Sequence, residues 1–315
     1  MDHHITRPTN KQKMRNLIFD AQHKRCISFL FLLISSLALE AQYTNTIVTA
    51  RPGNTVGPGT VGKHIFQSQN GYLLGSMNLE RAQVTETNVL NQPIYDSVYG
   101  AQFHQFNNVF RYGLFERLEI RYRLNYTTRN FEAVGNGGYG TGNNDVEQLG
   151  MDFGLRANFV NNRASGFGFG AQLDVGFDRL LSNPEPANVT RVNFLLLFAQ
   201  RLNTRFVLAA NTGVTLIEGR ESILLNRIAI RYMGDKTVLQ FGVNADVVNE
   251  AIYGYQVNTA YTTGVGYAVN PNLMLDLELS YRIDRTIGFV EDAEILAQQT
   301  LAATAGLSWR LNFRD

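Results

Sequence analysis

Apolar and polar residues alternate one for one along most of this chain, in runs far longer than an ordinary strand, and this limits the fold more than any other feature. Leu118, Ile120, Tyr122, Leu124 and Tyr126 alternate with Glu119, Arg121, Arg123 and Asn125. Leu149, Met151, Phe153, Leu155 and Ala157 alternate with Gly150, Asp152, Gly154 and Arg156, and Leu273, Leu275, Leu277, Leu279 and Tyr281 with Met274, Asp276, Glu278, Ser280 and Arg282. Successive side chains of a strand point to opposite faces, so each run carries one apolar and one polar face. Soluble antiparallel sandwiches also alternate, and length separates the two cases. Ordinary strands average about 5–6 residues, whereas a tilted strand needs about 9–11 to cross hydrocarbon. The runs here meet the second requirement.

Punctuation agrees. Short connections fall at 114–117, 161–165, 203–204, 234–236 and 270–272. Longer or polar ones fall between them, at 77–99, 131–147, 181–190, 249–254 and 286–297, with one short connection, 217–221, on that side. Short turns at one end and longer loops at the other describe an outer-membrane barrel. The spacing predicts twelve strands, near 64–76, 100–113, 118–130, 148–160, 166–180, 191–202, 205–216, 222–233, 237–248, 255–269, 273–285 and 298–313. The first two and the 191–202 run alternate poorly. An even number puts both termini at the short-turn, periplasmic end. The expected fold is all-β: a single transmembrane antiparallel β-barrel of about twelve strands.

Composition supports this by exclusion. Of 315 residues, 44% are apolar and 17% charged, with a mean hydropathy of −0.15. Soluble domains carry about 25% charged residues. Only 26–39 is apolar enough to resemble a membrane helix, and it is too short to span a bilayer, which excludes a polytopic helical protein. A net charge of +1 excludes a strongly basic nucleic-acid binder. Glycine is frequent at 28 and proline scarce at 7.

The apolar stretch itself reads as an address. Lys24 and Arg25 precede it, and Ala41 closes it before a polar start, the layout of a secretory signal peptide cleaved after Ala41. Met14 competes with Met1 as the start. Cys26 precedes the apolar core, so it does not sit where a lipoprotein cysteine would. The expected organisation is a signal peptide over 1–41, an N-terminal periplasmic segment over 42–63 and the barrel over 64–315. Without the leader the chain has no cysteine, which excludes disulfides and thiolate chemistry.

On the polar faces lie Glu119, Arg121, Arg123, Asp152, Arg156, Asp174, Arg227, Arg231, Asp246, Asp276, Glu278 and Arg282. Each such charge turned to lipid near the midplane would cost about 2–4 kcal/mol, so these are the expected lumen-lining residues. They either plug the barrel as an arginine–carboxylate network or line a pore that orders water and solutes. Glycines on the same faces, Gly168, Gly170 and Gly176 among them, leave open space or relieve crowding in a curved sheet.

Other motifs point to no chemistry. Gly135-Asn136-Gly137-Gly138-Tyr139-Gly140 matches a dinucleotide fingerprint, but a loop follows it where a helix is required. His64 and His104 are the two histidines left after the leader. No serine–histidine grouping surrounds His104, and two histidines on distant strands are a poor metal site. Neither catalysis, cofactor nor metal is expected. The final strand, with Leu307, Trp309, Leu311 and Phe313 on one face, resembles the assembly signal of bacterial outer-membrane proteins, though Arg314 and Asp315 follow Phe313. The expected partners are outer-membrane lipid and, through that strand, the barrel-assembly machinery.

Two segments carry a family resemblance. Arg111-Tyr112-Gly113-Leu114-Phe115-Glu116-Arg117-Leu118-Glu119-Ile120-Arg121 resembles the R-Y-G-L-T-E-R-F-E-L-R hairpin of a Gram-negative outer-membrane family described as transporters of the MetA pathway of phenol degradation. Thr49-Ala50-Arg51-Pro52-Gly53-Asn54-Thr55 and Val61-Gly62-Lys63-His64-Ile65-Phe66-Gln67 resemble that family's T-D-R-P-x-x-T and V-P-K-G-x-F-Q, with Ala50 replacing an acid and Gly62 a proline. The resemblance implies an outer-membrane channel for passive passage of small solutes, with aromatic ones suggested by the family's description. The alternative is a non-conducting structural or interaction barrel at the cell surface.

Overall fold

The computed structural model describes residues 55–87, 93–134, 144–162, 165–181, 188–250, 254–287 and 297–313. The leader, the glycine-rich 135–140 stretch and the last two residues lie outside them. Twelve strands follow one another in chain order: β1 (Ile65–Thr87), β2 (Pro93–Phe115), β3 (Leu118–Val134), β4 (Asn144–Asn162), β5 (Phe167–Leu180), β6 (Asn188–Arg201), β7 (Phe206–Ile217), β8 (Ile223–Met233), β9 (Thr237–Glu250), β10 (Gly254–Asn270), β11 (Leu273–Ile287) and β12 (Ala297–Asn312). Each pairs antiparallel with its sequence neighbours, and β12 returns to β1 from Ile65↔Asn312 to Glu80↔Ala297, closing the barrel. Closure is what the solvent requires. Lipid offers no partner to a free N–H or C=O, so an open edge cannot survive in it.

The strand positions agree with the alternation to within a few residues, except at the long-loop end. The 77–99 connection expected there is largely strand: β1 and β2 stay paired as far as Thr87↔Pro93, with register shifts beyond Arg81. The 131–147 connection shortens likewise, since β3 continues to Val134 and β4 begins at Asn144. These hairpins run past the length hydrocarbon demands, where alternation no longer has an apolar solvent to satisfy.

Outward side chains form an apolar wall. Phe153, Leu155, Leu224, Ile228, Phe241, Leu275, Leu277 and Leu301 are all exposed. An aromatic row runs along this wall from Trp309 through Phe66, Phe110 and Tyr122 to Phe153, with ring centroids 4.8–6.1 Å apart. A surface this apolar is stable against lipid and would be an aggregation surface in water.

The poorly alternating strands have two different causes. In β1 and β2 the outward face is itself partly polar. Asn70 donates to Ser68 Oγ at 3.1 Å, and the Tyr72 hydroxyl lies 2.6 Å from His104 Nδ1. Pairing of this kind reduces the penalty of polar groups on a lipid-facing wall. In β6 the inward face is apolar at Leu195 and Leu197, for a reason given below.

The two faces can be told apart by substitution. Leu277 is 60% exposed on the wall, while its neighbour Glu278 is 8% exposed inside. Leu277→Arg should destabilise the barrel in lipid by about 2–4 kcal/mol, more than Glu278→Gln does. Urea titration in vesicles, read by the heat-modifiable gel shift, measures both. Equal effects would reverse the facing assignment.

Candidate functional site

The interior is organised around one carboxylate. Glu119, the second residue of β3, is completely shielded from solvent. Arg111, eight residues earlier on β2, grips both its oxygens: Nε donates to Oε1 at 2.8 Å and an Nη donates to Oε2 at 2.7 Å. The hairpin turn at Glu116 and Arg117 brings the two together. Arg156 on β4 stands 3.6 Å from the same carboxylate and Arg121 3.9 Å. From there the network spreads around the wall. Arg156 donates to Gln172 on β5 at 2.7 Å, Gln172 donates to Asp174, and Arg121 donates to Asp174 at 3.1 Å. A second cluster lies nearer the long-loop end. Asp152 is shared by Arg123 and by Arg191 of β6, which also reaches Asp178 at 2.7 Å. Removing any one member leaves a buried charge unpaired, so each is held by the others.

Into this interior comes a segment that precedes the first strand. Residues 55–61 cross the barrel from one wall to the other. At the β7–β8 wall, Asn211 makes a pair of backbone bonds with Val56, accepting from its N–H and donating to its C=O, both at 2.7 Å, and Arg231 donates to the Thr55 carbonyl. At the β2–β3 wall, Arg111 donates to the Gly59 carbonyl at 3.2 Å, Thr60 donates to the Glu116 carbonyl at 2.6 Å and the Val61 N–H donates to Glu119 Oε2 at 2.9 Å. In a ring of twelve strands, β2 and β8 lie opposite each other. A bend at Gly62 and His64, both with positive φ, then turns the chain outward into β1. The expectation set 42–63 apart from the barrel; its described part contacts the inner wall.

The wall is shaped to receive this segment. A Cβ on Gly113 would stand 1.6 Å from the Gly62 carbonyl oxygen, so only glycine permits the approach. Cβ atoms on Gly168 and Gly170 would come within 2.9 and 3.1 Å of the Pro58 ring. These glycines provide room for backbone rather than open lumen. Val56 packs with inward Leu195, Leu197 and Leu225, and Ile223 lies against them. That seat explains why β6 is apolar on both faces.

Beyond the segment lies a cavity of about 740 Å³. It reaches from Arg129, Gln148, Leu180 and Arg220 at the long-loop end down to Val56, Arg111 and Arg156. Among the twelve residues read from the sequence as lumen-lining, Arg121, Arg123, Arg156, Asp174, Arg227 and Glu278 line this cavity. Glu119, Asp152, Arg231 and Asp276 are buried on the same inner face. Asp246 has the inward parity of buried Asn244 on β9, and Arg282 donates to buried Asp284 at 2.6 Å. The reading of charged positions did not include Arg111, Gln172, Asp178 or Arg191, though each has the inward parity of its strand. It also missed the apolar part of the lining, which includes Leu73, Val109, Leu195, Ile217, Ile223 and Leu225.

No family model matches this chain, and no curated protein matches it. Solved structures do. The barrel has the fold of an outer membrane channel. That structure, from Pseudomonas putida F1, has a TM-score of 0.53 and 9% identity, covering 77% of this chain and 95% of that one. Two others are more distant. The translocator domain of the autotransporter NalP from Neisseria meningitidis has a TM-score of 0.47 and 9% identity, covering 95% and 98% of the two chains. The Pseudomonas putida toluene transporter TodX has 0.40 and 12%, covering 80% and 90%. At such identities the likeness to the first is one of fold.

Arg111→Ala would strip Glu119 of its two-pronged partner while leaving the carboxylate buried. We expect a loss of about 3–5 kcal/mol, read as a lower urea midpoint in lipid vesicles. Glu119→Gln, which takes the carboxylate from both Arg111 and Arg156, should lose at least as much. A Glu119→Gln variant as stable as the wild type would show that the network is not organised around this carboxylate.

Proposed function

We infer that the chain is an outer-membrane channel for the passive passage of small solutes, aromatic ones among them. The observation that carries this reading is the cavity inside the apolar-walled barrel, running from the long-loop end to Val56 between charged walls. Neither a filled core nor a stripped pore would look like this. Side-chain volume fills the interior of about eight-stranded barrels, and 16–18 strands leave a broad channel; twelve fall between. The fold shared with a solved channel and the hairpin resemblance support the same reading. It places the protein in the cell outer membrane after export by its signal peptide, with both termini and the short turns in the periplasm. Assembly would proceed through the strand ending near Phe313. It assigns no catalysis, cofactor or metal.

One observation favours a second reading, a non-conducting barrel: residues 55–61 span the interior below the cavity. In the channel reading that segment is the constriction solutes must pass, and its hold on the wall sets the flow. Asn211→Ala removes both bonds to Val56. In planar bilayers it should raise single-channel conductance severalfold over the wild type. A wild type with no conductance and no solute uptake in liposomes, unchanged by Asn211→Ala, would defeat the channel reading in favour of the second.

A further inference from the structure

The cavity lining combines an excess of arginine with apolar surface. Arginines reach it from β2, β3 and β4, with Arg191 on β6 and Arg220 and Arg227 on and beside β8. The lining carboxylates are Asp174, Asp178 and Glu278. Even when Glu119, Asp152 and Asp246 behind the lining are added, the arginines remain in excess. Arg129 and Arg220, both exposed at the long-loop end, hold no ion pair among the described residues. Further round the ring from the β2–β4 arginines, Leu195, Ile217, Ile223 and Leu225 of β6, β7 and β8 give the lining an apolar stretch, interspersed with Asn193 and Thr215. Val56 completes it below.

A neutral hydrocarbon would match only the apolar stretch, and leave desolvated guanidinium groups facing it. A small hydrophilic anion would match only the arginines. A solute that is apolar at one end and anionic at the other satisfies both at once. Guanidinium groups bind carboxylates through paired N–H donors, which gives direction as well as attraction. The volume lies within the range of small-molecule sites, about 300–1,000 Å³. The geometry points to a binding site for small amphipathic carboxylates, with the carboxylate on the β2–β4 arginines and the apolar body on the β6–β8 stretch. This assignment rests on the channel reading for its role in transport, but the site itself does not need the pore to conduct.

Benzoate, benzyl alcohol and acetate separate the contributions, since the alcohol lacks the charge and acetate lacks the apolar body. In planar bilayers holding the full chain, the reversal potential in a potassium chloride gradient should show chloride preferred over potassium. Benzoate should interrupt that current at concentrations at least tenfold below those needed for benzyl alcohol or acetate. The variant Arg129→Gln, altered at an exposed position of β3, should reduce both the chloride preference and the benzoate block at least threefold. Potassium preference, or equal block by the three probes, overturns the assignment and leaves the channel standing. Saturation-transfer NMR of benzoate with the detergent-solubilised full chain reads the site without conduction. Transfer to benzoate that exceeds transfer to benzyl alcohol, in a protein that carries no current, keeps the site and defeats the channel. Absence of transfer overturns the site.

Discussion

Everything in this molecule follows from the absence of hydrogen-bond partners in lipid. A backbone that must pair all its own N–H and C=O groups across the membrane has to be a helix or a closed sheet. A chain whose apolar residues come every second position cannot supply an apolar helix. Closure of β12 on β1 is therefore the condition under which the other pairings are stable. Closure also decides the interior. Once one face of every strand is turned to hydrocarbon, the other face of all twelve is gathered into a small space, and its charges must be reconciled with each other.

The reconciliation is uneven around the ring. From β2 to β6 the interior charges are organised as arginine–carboxylate clusters about Glu119 and Asp152. From β6 to β8 the lining adds Leu195, Ile217, Ile223 and Leu225 to its polar residues. The inserted segment bridges the two regimes. Its N–H and C=O groups take bonds from the polar walls, while Val56 takes the apolar seat. A stretch of irregular backbone would be intolerable in lipid, but it is accommodated here because it lies inside protein.

The barrel was legible because period two is a local signal. A run such as 273–281 states its strand, its length and its two faces without reference to any other part of the chain. The inward charges were legible for the same reason, by parity. What was not legible depends on contacts distant in sequence. Val56 and Asn211 are 155 positions apart, and Thr55 and Arg231 are 176 apart. Nothing periodic marks residues 55–61 themselves, so their place in the interior cannot be read from that stretch alone. The double apolar face of β6 was visible as a failure of alternation, and Gly168 and Gly170 as small inward residues. Each was a footprint of the same segment, readable only once the segment was in place.

A closed sheet of this kind is a thin hoop, stiff along its strands and soft against flattening across them. The segment between the β8 and β2 walls is a chord of that hoop, anchored by side-chain bonds at both ends. It ties together two points of the ring that are far apart in sequence. At Gly62 and His64 the chord joins β1, one of the two strands of the closing seam, and the Phe313 N–H bonds the His64 carbonyl there. The closing seam and the inserted segment thus share a single joint.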